Sequence, residues 1–357
     1  MRLFGGEWTR RELEAHTGRV DQVAGARRVL LAEGPGAGSE AVHVRTGAGL
    51  SLWIHPSRGM DIGLAEFLGT PLCWLSPAGD VHPAHFDPSG LGWLRTAAGG
   101  LLMTCGLRQV GSPCEDEGEQ PGLHGRIHHT PAREVSVQTE WDEDEYVIRV
   151  RGVMEECRLF GENLRLTRTY RCHAGTNRLD IEDLVENIGF HPSPLMILYH
   201  FNLGFPLVSP EAQITFPSKQ VVARDREVPV EGYGEWQRPD ARYTERVYYH
   251  EELETAVSRT WARPSARISV NNPAFPFGGS GHNAPVRLGL SWTADTLPRL
   301  VQWKMPGAGA HVLGVEPANC HVEGRAEERR QGRLQILEPG ESRSMRLAIT
   351  VEALNSF

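Results

Sequence analysis

Nowhere does this chain of 357 residues hold the roughly 18 consecutive apolar residues that a membrane-spanning helix needs. An embedded helical protein is therefore not expected. Basic residues are in deficit: 37 Lys and Arg stand against 45 Asp and Glu, for a net charge of −8. No basic cluster is interleaved with aromatics, which argues against a nucleic-acid partner. The six cysteines (Cys73, Cys105, Cys114, Cys157, Cys172 and Cys320) form no CxxC pair and follow no regular spacing. Reduced thiols are expected rather than a disulfide framework. Also missing are a GxGxxG turn after a strand, a Walker-type phosphate loop, a GxSxG elbow and an HExxH helix. Nucleotide cofactors and serine hydrolysis lose their usual sequence support. The opening "MRLFGGEWTRRELEAH" has acids and arginines where a secretory signal needs an unbroken apolar core. A cytoplasmic protein is the expectation.

What is present reads as β structure. An apolar fraction of 40% with 23% charged residues is globular in character. In Glu145–Met154, Ile148 and Val150 alternate with Arg149 and Arg151. Val286–Trp292 and the C-terminal "SMRLAITVEA" alternate in the same way, the mark of antiparallel strands with one buried face. Further strands are expected at Leu50–Ile54, Leu72–Leu75, Arg133–Thr139, Leu164–Cys172, Leu179–Glu186 and Leu195–Phe201. Gln213–Phe216, Arg267–Val270, Arg299–Met305 and Arg333–Leu337 complete the set. Between them, 39 glycines and 24 prolines supply turns. Helix is expected only at Arg10–His16 and Val322–Arg330. The expected architecture is all-β: one domain, residues 1–357, of large packed antiparallel sheets, with residues 1–40 as an extension covering a sheet edge.

Four short segments carry residues suited to chemistry. "CGLRQVG" places Arg108 among small and apolar residues, where its fork can hold hydroxyls or a carboxylate, or simply pair with an acid. "GLHGRIHHTPA" brings His124, His128 and His129; with His82 and His85 they suggest a metal cluster, but no acid or cysteine sits at ligand spacing within either motif. "LMILYHFNLGFP" is an apolar strand that reaches His200, followed by Asn202. Its histidine is either a hydrogen-bonded core residue or a proton donor held by packing. "HVLGVEPAN" puts Glu316 at the end of a strand, as a solvated acid or a base.

In this order on an all-β chain, these segments resemble the aldose 1-epimerase (galactose mutarotase-like) superfamily. "LHG" resembles its substrate-binding His-Gly, "YHFNLG" its histidine segment with one residue fewer before "FNL", and "GVEPAN" the segment bearing its glutamate base. "SRGMDIG", with "CGLRQVG" and "LHGR", is similar to a bacterial branch of that superfamily. The resemblance implies a β-supersandwich and no cofactor or metal. It also implies His200 as general acid, Glu316 as general base, and Arg108, His124, Asn202 and Glu245 as substrate-binding groups. Glu245, in "YTERVYYH", stands where the family has an aspartate.

The implied reaction opens a cyclic sugar. Glu316, ionised, takes the anomeric proton while His200, protonated, serves the ring oxygen; rotation and reclosure give the other anomer. Trp53, Trp93, Trp292 and Trp303 are candidates for an aromatic floor. The expected partner is a small carbohydrate, with a homodimer left open. Two other readings stand beside this one. A metal-dependent sugar isomerase would use His124, His128 or His129, His200 and Glu316 as ligands. A carbohydrate-binding sandwich without catalysis needs only the pocket.

Overall fold

The computed structural model describes residues 1–277 and 281–354. The expected alternation becomes two large antiparallel sheets, with about 51% of the chain in strands and 8% in helix. Among the described residues the larger sheet has twelve strands. Its main path runs Ser218–Ala223, Arg246–Leu253, Arg299–Gly307, Ala310–Ala318, Ser193–Gly204, Leu102–Leu107, Asp61–Phe67, Leu50–His55, Glu40–Arg45 and Gly25–Leu30. The nine-stranded sheet carries the three strongly alternating segments, at Glu145–Cys157, Asn283–Thr293 and Ser342–Ala353.

Several strands of the larger sheet have no alternating signature because both their faces are buried. Ser193–Gly204 is buried along its whole length. Its Leu195, Ile197, Tyr199, Phe201 and Leu203 enter the core between the sheets, beside Leu166, Ile181, Leu290 and Ile349 of the opposite sheet. Its Met196 and Leu198 enter a second apolar cluster on the outer face, with Trp93, Met103, Tyr249, Val301 and Ala318. His200 and Asn202 continue that outward row by strand periodicity. Leu102–Leu107 is likewise buried at every position.

Three expectations are corrected. Leu72–Leu75 is no continuous strand; it makes isolated bridges from Cys73 to Leu203 and from Leu75 to Gly99. The C-terminal helix begins at Arg325 rather than Val322. Residues 25–30, placed in the covering extension, themselves form the edge strand, pairing with Glu40–Arg45.

The sheets are also clamped by charge. Arg168, fully buried on the smaller sheet, donates to Asp183 from Nε and Nη2 (2.9 and 2.7 Å) and to Asp61 Oδ1 from Nη1 (2.9 Å). Tyr199 donates to Asp183 Oδ2 at 2.7 Å, and Thr104 donates to Asp61 Oδ1 at 2.6 Å. Tyr199 and Thr104 lie on the strands that also carry His200 and Met103. The clamp thus anchors the backbone directly beneath the outer-face row.

Candidate active site

Strand register sets the central pair. The ladder joining Phe201 to Val315 places His200 opposite Glu316, while Glu316 itself faces Val301 and His200 faces Met103. Across an antiparallel ladder, facing residues share a side of the sheet. His200 Nε2 lies 3.1 Å from Glu316 Oε1, and both side chains are buried. The two are in contact without forming an aligned hydrogen bond: Glu316 Oε1 and His200 Nδ1 have no hydrogen-bond partner.

Gly314 makes this proximity possible. A Cβ there would lie 2.5 Å from Glu316 Oε1, 2.8 Å from Trp303 Cβ and 3.3 Å from His200 Cε1. Gly314→Ala is expected to cost about 1–3 kcal/mol by overpacking, read as a lower urea midpoint at unchanged slope.

Burial decides the charge state. His200 is lowered to about 4, by desolvation first and against the raising effect of Asn202. Glu316 is raised well above its usual 4.5, by desolvation and then by the Glu245 carboxylate, with Arg224 opposing. Both shifts favour a neutral imidazole beside a protonated carboxyl. This differs from the imidazolium and carboxylate expected from the sequence, because the outer face is covered and little water reaches either group. Both arrangements hold one proton. Moving it across the 3.1 Å contact interconverts them without changing the net charge.

Around the pair, the Trp303 ring meets His200 edge-on at 5.5 Å and Trp74 at 6.2 Å. Trp303 Nε1 donates to Glu245 Oε2 at 2.9 Å, so Glu245 stands half-exposed at the rim with Arg224 3.9 Å from its other oxygen. On the opposite side, the His124 ring lies 6.2 Å from His200 and 4.9 Å from Trp93. His124 Nδ1 accepts from the Gly111 N–H at 3.3 Å. Burial lowers this histidine to about 3, with the His200 and His128 charges adding to it, so it is neutral at pH 7.

A model of the family described as "Domain of unknown function (DUF4432)" matches residues 36–351. The chain belongs to the DUF4432 family. No curated protein matches it. Among solved structures, a Klebsiella pneumoniae protein provisionally described as an aldose 1-epimerase matches with TM-score 0.80 and 25% identity, over 93% of this chain and 86% of that one. A galactose 1-epimerase from Lactobacillus acidophilus matches at 0.57 and 13% identity, over 92% and 99%. A galactose mutarotase-like protein from Clostridium acetobutylicum gives 0.58 and 12%, over 93% and 100%. This DUF4432 chain therefore has the aldose 1-epimerase (galactose mutarotase-like) fold.

The other sequence candidates divide. Arg108 is committed to Glu119 (3.0 Å) and Glu162 (3.1 Å), the acid-paired alternative. Asn202 is fully buried, and its amide donates to Gly100 O and His200 O. It ties the strand to the loop that covers it. Trp93 and Trp303 flank the site, but Trp292 is core, donating to Leu297 O, and Trp53 stacks on His43. Sequence reading missed Trp74, Arg224 and Gly314. Only Gly314 left a trace, as the sole residue without a side chain in "HVLGV".

The ligand set of the metal reading does not assemble. His128 Nδ1 lies 2.6 Å from Asp61 Oδ2, and His129 Nε2 lies 2.7 Å from Thr96 Oγ1. Among the described residues the grouping with metal-like spacing is His321, Glu323 and Glu328. There Arg299 contacts His321 Nε2 at 3.0 Å and Arg333 forks onto Glu328 Oε1. Two guanidinium groups already balance that cluster.

Proposed function

We propose that this DUF4432 protein is an aldose 1-epimerase-like enzyme that interconverts the anomers of a small carbohydrate through His200 and Glu316. The observation that carries this reading is the 3.1 Å contact between His200 Nε2 and Glu316 Oε1 on a buried outer face. The anomeric hydroxyl and the ring oxygen share one carbon, so groups serving both must lie within hydrogen-bond reach of one sugar ring. Structural neighbours described as an aldose 1-epimerase and a galactose 1-epimerase point to the same chemistry.

The proton shared by the pair supplies the acid. With it on His200, Glu316 is a carboxylate able to accept the anomeric proton while His200 donates to the ring oxygen. The hemiacetal opens, the C1–C2 bond turns, and the reverse transfers close the other anomer. His124 orients a hydroxyl through Nε2, Glu245 accepts from one at the rim, and Trp303 and Trp74 wall the ring.

A pH–rate profile of anomer exchange tests this. The pair works while it holds a single proton. Rate is expected to fall as pH drops through about 4, where neutral His200 takes a second proton. It is expected to fall again at high pH, once Glu316 loses its proton from a pKa well above 4.5. A rate independent of pH across both limbs, or no catalysed exchange for any aldose, ketose or uronic acid tried, would count against the proposal. Sugar binding without exchange would favour a binding module.

A further inference from the structure

On the same outer face, away from the His200–Glu316 pair, lies a cavity of about 260 Å³ lined by Trp53, His55, Arg58, Asp80, Leu64 and Leu75, among others. Trp53 and His55 alternate with Leu52 and Ile54, which enter the core between the sheets. They therefore point outward, as His200 does. Three strand spacings separate the strand of His55 from that of His200, or roughly 14 Å at about 4.8 Å each. The loop between is shared: Gly99 and Gly100 line the cavity, and Asn202 Nδ2 donates to Gly100 O at 3.0 Å.

The polar groups here are built and incompletely used. Arg58 is only 3% exposed. Its Nη2 donates to Asp80 Oδ1 at 2.9 Å, while its Nη1 is buried without a partner. His55 Nε2 lies 3.9 Å from the same Asp80 oxygen. An unpaired buried guanidinium N–H costs free energy unless something accepts from it. Asp80, half-exposed, places an acceptor beside that donor. Arg58 and Asp80 cancel in charge, which favours a neutral ligand over an anion. Adjacent hydroxyls each donate and accept, and so match this pairing. Trp53, held flat by His43 at 4.3 Å and 9°, offers an aromatic surface for the apolar face of a sugar ring.

We propose that this cavity is a second carbohydrate subsite, holding one neutral sugar ring by its vicinal hydroxyls on Arg58 and Asp80 and by Trp53. Its volume of about 260 Å³ falls just below the usual range of ligand pockets, roughly 300–1,000 Å³, which suits a single ring. The inference rests on the proposed function for the identity of the first site, and it makes the substrate longer than a monosaccharide.

The test compares D-galactose with maltotetraose, cellotetraose and mannotetraose, long enough to span the two sites, by saturation-transfer NMR and calorimetric titration on the full chain. At least one oligosaccharide is expected to bind at least tenfold more tightly than galactose. Trp53→Ala and Asp80→Asn should remove that gain, Trp53→Phe should keep most of it, and Glu316→Gln should leave it intact. Trp53 and Asp80 are partly exposed, so these variants remain folded where Arg58→Leu would not serve. Oligosaccharide affinity unchanged in Trp53→Ala, or no Trp53-dependent binding of any of the three, would overturn the subsite while leaving anomer exchange standing. Trp53-dependent binding in a protein that exchanges no anomers would support the subsite and count against the proposed reaction.

Discussion

Glu316→Gln is expected to lower catalysed anomer exchange at least about a hundredfold, while the folded protein becomes no less stable at neutral pH. The rate loss follows from removing one of the two proton-transfer groups, each worth on the order of 10²–10⁴-fold. The stability expectation comes from the direction of the pKa shift. Glu316 has a folded-state pKa raised above 4.5, chiefly by burial. At low pH both folded and unfolded chains carry the proton, and nothing is lost. As pH rises through the unfolded value toward the folded one, the unfolded chain ionises and the folded one does not, so the wild type loses stability. Glutamine keeps the shape and has no proton to lose. The melting temperature of Glu316→Gln should therefore match the wild type near pH 4 and equal or exceed it near pH 7. Lower stability at both pH values would mean that the carboxyl is a structural anchor and would remove the burial argument.

The second large effect lies beneath the site. Arg168→Met is expected to destabilise the protein by about 3–5 kcal/mol, because it strands buried Asp183 and leaves Asp61 to His128 and Thr104 alone. Asp61 is pushed upward by burial, yet stays below its usual value through the His128 hydrogen bond and charge and the Arg168 charge. Removing Arg168 takes away one of those supports. Tyr199→Phe, which deletes one hydrogen bond to Asp183, should cost only about 1 kcal/mol. Urea unfolding of the two variants reads the difference directly. Equal, small losses would show that the clamp contributes little and that apolar packing alone holds the sheets together.

The β architecture was legible where one face of a strand meets water: Arg149 and Arg151 against Ile148 and Val150 announce a strand without ambiguity. Leu102–Leu107 and Ser193–Gly204 are buried on both faces, so period-two reading has nothing to alternate; the second was legible only as an apolar run. Of the site, His200 and Glu316 were visible as residues in short motifs, but their contact depends on the register between two strands more than a hundred residues apart. Their burial, which favours the neutral forms, depends on packing across the fold and leaves no local signal. Arg108 was left open between hydroxyls and an acid because its partners, Glu119 and Glu162, are brought to it by the fold. His128 was left open to a metal role because Asp61, its actual partner, lies 67 residues away.

The central claim is that His200 and Glu316 together open a sugar ring. The most direct measurement is two-dimensional exchange NMR between α and β anomers, with wild type compared to Glu316→Gln, His200→Asn and the double variant, each above the buffer rate. Catalysed exchange is expected in the wild type, with losses of at least about a hundredfold in each single variant. The double variant should be little worse than the poorer single one, since the two groups share one step. Catalysed exchange that persists in the double variant would contradict the claim.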